Sequence, residues 1–283
     1  DTLLLENDPD LKYLREVNTK YGSKDFLVLT YTPKDTLLAP ETIKNLVNLK
    51  NDLANLSWVN NVITILDVPL LKNNDDPLTE RIKNFKTLSS ENVDKERGFE
   101  EIINSPIYKE FVISKDGKTT GILVYIKTDK ELSDLIRTKN RYLVKRDRGQ
   151  LSSEDKNEYK KFLKEYDNYK KLYNQKNHQN INEIRKIIKK HNSTAKIHLG
   201  GIPMIADDMM TYIKNDIMVF GAGVFLFIVC TLWFVFRSFL WVFIPLLSCF
   251  FSVLIMIGFL GLVGWKVTVI SSNFIALMLI LTM

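Results

Sequence analysis

Apolar residues are spread along this chain in two unlike ways. Up to Asp216 they come in short runs or at helical spacing among charged positions. From Ile217 to Met283 they are almost continuous. In the first part, "FLVLTYTP" (26–33) predicts a strand ended by Pro33. Pro40 then opens a helix with Ile43, Leu46, Val47 and Leu53 on one face. "WVNNVITILDVP" (58–69) predicts a second strand closed by Pro69, and 110–127 a hairpin turning at Asp116-Gly117. Asn180 predicts the N-cap of a further helix, with Glu183 completing a capping box and Ile184, Ile187 and Ile188 as its apolar face. "AKIHL" (195–199) predicts a last short strand.

Between the hairpin and that last helix lies an insert, 129–178. Leu132, Leu135, Ile136 and Leu143 mark one helical face, "DRG" (147–149) turns the chain, and Ser152 with Asp155 starts a second helix. Tyr159, Phe162, Tyr166, Tyr169 and Tyr173 recur on one side of it. This predicts an antiparallel helical hairpin, its aromatics spaced for packing. Five strand runs and two helices are best matched by an α+β domain over 1–215, a ferredoxin-like βαββαβ with the helical hairpin inserted and one strand unassigned.

Residues 217–283 hold two charged side chains, Arg237 and Lys266, and no carboxylate. The stretches 217–236, 239–265 and 267–283 read as three transmembrane helices, an all-α bundle following the α+β domain. Arg237 falls between spans, so Arg237-Ser238 reads as a tight turn with the guanidinium in the headgroup layer. By the positive-inside rule that turn faces the cytoplasm and residues 1–215 lie on the other side. Arg237 is a topology marker in this reading, and Lys266 marks the outer turn. Trp233, Trp241 and Trp265 flank the turns, where amphipathic rings favour the interface. Pro245 and the glycines at 258, 261 and 264 sit in the second span, spaced for close helix packing.

Composition changes this picture little. The net charge is +6, but the cations are interleaved with acids as on a solvated helix surface, so nucleic acid is not expected as a partner. Both cysteines, Cys230 and Cys249, lie in the apolar part, leaving the polar domain without a disulfide. No CxxC, HExxH or GxSxG occurs. "DGKTTG" ends like a phosphate-binding loop, but Val112 stands where its first glycine belongs. His178, His191 and His198 lack metal spacing and read as solvated or structural. No enzymatic activity and no cofactor are expected. The chain, from Asp1 to an apolar end at Met283, reads as a piece of a longer protein.

The junction between the two parts carries a resemblance. "LGGIPMIADDMMTYIKNDIMVF", a span, "FRSF", "PLLSCFFSVLIMIGFLGLVG" and "VTVISSNF" together resemble the resistance-nodulation-division (RND) superfamily in its MMPL-like branch. The matching positions include Gly200, Gly201, Pro203, Asp207 or Asp208, Asp216, Phe236-Arg237-Ser238, Pro245, and Ser271, Ser272 and Asn273. The resemblance implies a proton-driven exporter of lipids or other hydrophobic molecules, with 1–215 as an extracytoplasmic porter domain and the piece running from just after a first span to a fourth. The implied partners are the bacterial inner membrane, a hydrophobic substrate and the rest of the same polypeptide, with a homo-oligomer or a periplasmic partner left open. The family's ion-coupling carboxylates are absent from 267–283. A lipid- or sterol-sensing receptor, a protein-translocation accessory and a membrane-anchored scaffold are the competing readings.

Overall fold

A computed structural model describes residues 8–21, 25–72, 85–91 and 93–263. The chain divides into two compact units. One is Val17–Asp207 and the other combines Asp1–Glu16 with Asp208–Met283.

The first unit is built on four strands: β1 (Phe26–Pro33), β2 (Val59–Ile63), β3 (Thr120–Ile126) and β4 (Ala195–Gly200). Their order in the sheet is β2-β3-β1-β4, and each neighbouring pair is antiparallel. β1 and β3 are central, in a register that sets Leu27 opposite Val124 and Tyr31 opposite Thr120. One face is buried. Leu27, Leu29 and Tyr31 of β1 alternate with exposed or half-buried neighbours, as do Ile122 and Val124 of β3 and Ala195 and Ile197 of β4. This period of two is the signature of an antiparallel sheet with a single covered face.

Two helices supply the cover. In α2 (Pro40–Ala54), Pro40 opens the first turn and Thr42, Leu46, Leu49 and Leu53 are buried. Val47 is exposed, a correction to the predicted face, because Leu49 lies closer to the centre of the stripe that Leu46 and Leu53 define. The other cover is the C-terminal half of a 39-residue helix, whose Ile181, Ile184 and Ile188 join the same core.

That helix departs from the sequence reading. It is continuous from Ser153 to His191, so Asn180 is mid-helix and caps nothing. No Gly or Pro interrupts 153–191, and the aromatic stripe runs in step into Ile181, Ile184 and Ile188. A stop signal was lacking, and a cap residue alone does not end a helix that packing continues to reward. We label it α5; it follows α1 (Pro9–Tyr21), α3 (Lys95–Asn104) and α4 (Lys130–Asp147). Its true N-cap is Ser152, in a reciprocal capping box with Asp155 as expected. α4 packs on α5 as the predicted hairpin, joined through Tyr142, Tyr159, Phe162 and Tyr166. Ile136 is exposed while Asn140 and Leu143 are buried.

Two further corrections concern strands. β2 is short, because Thr64 caps a 3₁₀ turn at Ile65–Asp67 that takes the chain off the sheet edge. The first arm of the predicted hairpin, 110–113, forms isolated bridges only, although the turn at Asp116-Gly117 closes with Gly117 at φ 67°. β3 already pairs with β1 along its length and with β2 over 123–126, so only its first residues have a free edge. The helix α3, capped by Asp94 and burying Ile102, was not foreseen.

The second unit contains two long apolar helices. α6 (Ile202–Phe236) begins in the first unit and runs on as one helix, and α7 is Phe239–Val263. They pack through Ile228, Leu232 and Val242. Arg237 adopts a left-handed φ of 47° immediately after α6, its N–H bonding to the Trp233 carbonyl at 3.0 Å. This αL residue reverses the chain in two residues, the tight turn expected at "FRSF". Phe236 and Trp241 stack across it with centroids 6.4 Å apart. The third predicted span, with Lys266 and Trp265, lies outside the described residues.

Candidate functional site: the β4–α6 junction

The candidate residues converge on the place where β4 becomes α6. Gly200 is the last residue of β4 and sits opposite Val28 of β1. Gly201 follows with φ 122°, a conformation that side chains with a Cβ rarely adopt. It also lies against β1. A Cβ there would meet the Phe26 carbonyl oxygen at 3.0 Å and the Leu27 Cα at 3.1 Å. Only glycine allows the chain to turn off the sheet this closely and start a helix at once.

The first turns of α6 are held by α5. The Asn177 side-chain amide donates to the Pro203 carbonyl oxygen at 3.1 Å. One turn further on, both carboxylate oxygens of Asp207 lie 3.0 Å from Nδ1 of His178. The Asp207 side chain is 7% exposed and that of His178 47%. Asn182 Nδ2 lies 3.0 Å from the other ring nitrogen, Nε2. With that amide donating, Nε2 accepts, and Nδ1 carries the hydrogen given to Asp207. His178 was expected to be solvated or structural, and Asn177 and Asn182 were not singled out. His178 and Asn182 are four residues apart along α5 and so neighbours on its surface, while Asn177 adjoins His178 in the chain.

The remaining candidates are dispersed. Asp208 is half-buried and Asp216 exposed. Ser271, Ser272 and Asn273 lie outside the described residues. Arg237 is exposed in the α6–α7 turn. Among the described residues no group of three His, Cys, Asp or Glu is arranged to hold a metal ion.

Polar pairs elsewhere fix α5 in the first unit. Trp58 Nε1 donates to Glu183 at 2.9 Å, and Asp52 accepts from Lys190 and sits 2.8 Å from His191 Nε2. Those two bonds, Lys190 first, hold the Asp52 carboxyl below its usual range. Burial pushes Asp67 up, but Lys50 and the Thr64 N–H and hydroxyl outweigh it, leaving Asp67 low as well. Burial and then the Asp129 carboxylate, which accepts its hydroxyl, push Tyr169 up to about 12.

Between α6 and α7 lies an apolar cavity of about 390 Å³, lined by Gly221, Ala222 and Ile228 on one side and Leu246, Cys249 and Val253 on the other. Small residues at 221 and 222 make the room.

α6 and α7 are long and apolar enough to cross a membrane, with mean hydropathy 2.5 and only 11% of each apolar window buried. A soluble core helix of that composition would be mostly buried, and a signal sequence would lie near the N-terminus. Together with the family match that follows, α6 and α7 make the chain a membrane protein that also carries a small antiparallel α/β domain. Residues 168–283, from the middle of α5 through the junction and both apolar helices, match the MMPL family model, in agreement with the resemblance to an RND/MMPL-type transporter fragment. That match supports membrane-transporter function in general terms. No curated protein matches the chain.

Proposed function

We propose that the chain is part of an RND-type carrier that exports lipids or other hydrophobic molecules, not an enzyme, and that the proton gradient drives it. The observation that carries this reading is the MMPL match across the β4–α6 junction, where a tight glycine turn feeds a sheet domain into a helix that continues as a span. The strand order β2-β3-β1-β4 with antiparallel neighbours supports a ferredoxin-like split βαβ for the porter domain. The single arginine in the α6–α7 turn supports a cytoplasmic position for that turn and an extracytoplasmic one for the sheet domain. The apolar lining of the α6–α7 cavity suits a hydrophobic cargo, and the lipid bilayer and the rest of the polypeptide are the partners this reading requires.

The test has two parts. In a background lacking Cys230 and Cys249, Ser238→Cys should react with an impermeant maleimide only from the cytoplasmic face, and Lys139→Cys only from the outside. The reverse pattern overturns the orientation. Full-length protein in inverted inner-membrane vesicles should then move a fluorescent hydrophobic dye on acidification of the lumen, and collapse of the gradient should stop it. Dye bound but never moved would replace the carrier by a receptor.

A further inference from the structure

The first turn of α6 has little apolar anchorage. Ile202 is 80% exposed and Ile205 49%, while Met204 packs, partly buried, on the core. Polar bonds from α5 supply the rest: Asn177 to the Pro203 carbonyl, and His178 to both oxygens of Asp207, with Asn182 bracing the ring from behind. A helix held by buried apolar area loses the whole of that area on release. Hydrogen bonds can be exchanged for bonds to water at small net cost and made again. The turn begins at Gly201, whose φ of 122° is open to glycine. Residues of this kind absorb the dihedral change of a hinge. The Asp207 carboxylate is buried and the imidazole that faces it is half in solvent, so the bond can be reached and broken from the His178 side.

We propose that Asn177, His178 and Asn182 form a releasable latch on α6, closed in this structure, and that the transport cycle opens it. This rests on the carrier reading above. α5 also carries the α4–α5 hairpin at its other end, so one rigid element joins the hairpin to the latch. His178 is a positioning residue here and touches no cargo.

The experiment uses the full-length protein in membrane vesicles with Cys230 and Cys249 replaced by serine. His178→Cys and Asp207→Cys are bridged by a short bis-methanethiosulfonate, which reductant removes. Bridging should abolish gradient-driven dye efflux, and reductant should restore it to the unbridged rate. Efflux unchanged by complete bridging overturns the latch. Should the paired variant fold poorly, or should the wild type move no dye so that the carrier reading itself fails, hydrogen exchange decides. In His178→Ala the peptide spanning 203–212 should exchange roughly tenfold faster or more, while peptides covering β1 and β3 keep their wild-type rates. Unchanged exchange at 203–212 means that nothing is latched. Equal acceleration in the sheet means that His178 merely supports the fold, and either result removes the proposal.

Discussion

Gly200 and Gly201 are adjacent and chemically identical, yet the structure separates them sharply. An Ala at 201 must hold φ near 122°, a region open essentially to glycine, which costs about 1–3 kcal/mol. Its Cβ would lie 3.0 Å from the Phe26 carbonyl oxygen and 3.1 Å from the Leu27 Cα. Both are backbone atoms of a central strand and cannot rotate away, so the strand must shift, at about 1–3 kcal/mol as for other overpacked sites. The smaller unfolded-state entropy of Ala returns about 0.4–1 kcal/mol. The net loss for Gly201→Ala is thus about 1–5.6 kcal/mol. A Cβ at 200 would meet only the Val28 carbonyl oxygen, at 3.7 Å, so Gly200→Ala should fall within about 1 kcal/mol of wild type. Thermal unfolding read by Trp58 fluorescence, with Trp233, Trp241 and Trp265 changed to Phe, converts this into midpoints. Gly201→Ala should melt roughly 2–22 °C lower in a domain of this size, and Gly200→Ala should shift less than Gly201→Ala, staying within a few degrees of wild type. Equal shifts at the two positions, or none at 201, would refute the close-approach argument.

Other expectations test other parts of the structure. Tyr31 is wholly buried and its hydroxyl has no hydrogen-bond partner among the described residues, so Tyr31→Phe should stabilise the domain by about 1 kcal/mol in denaturant titration, and a comparable loss would show that the hydroxyl is bonded. Because Asn180 lies inside α5 and Ser152 caps it, Asn180→Ala should be neutral or slightly stabilising while Ser152→Ala costs about 1 kcal/mol; the opposite order would restore a helix boundary at 180. The depressed carboxyls of Asp52 and Asp67 contribute stability that is fully present above the ordinary aspartate value of about 3.9 and is lost as pH falls through their lower folded values. The melting temperature should therefore fall below about pH 4, and Asp67→Asn should flatten that fall, with an unchanged profile counting against the Lys50–Asp67–Thr64 network.

Much was legible in the sequence because it depends on local chemistry. A strand such as 26–33 announces itself by alternation and a closing proline. Two membrane helices announce themselves by an apolar run longer than any core helix needs, and the turn at Arg237 by the charge that breaks it. The residue types at 200–208 and the glycine pair were also visible as a cluster. What the sequence could not settle depended on partners distant along the chain. Asn180 has the chemistry of a cap, and only the packing of Ile181, Ile184 and Ile188 on the sheet, in step with the tyrosine stripe before them, makes α5 one helix. The run at 110–113 has strand composition, but β1 and β2 already occupy most of both edges of β3, and edge availability is a property of the assembled sheet. His178 is 29 residues from Asp207, and nothing in their spacing predicts a contact, since it exists only once α5 and β4 have brought the two together. Local propensity and hydropathy fixed where elements form, whereas the competition for buried area and hydrogen-bond partners, which operates only between elements, decided where they end and which polar side chains meet.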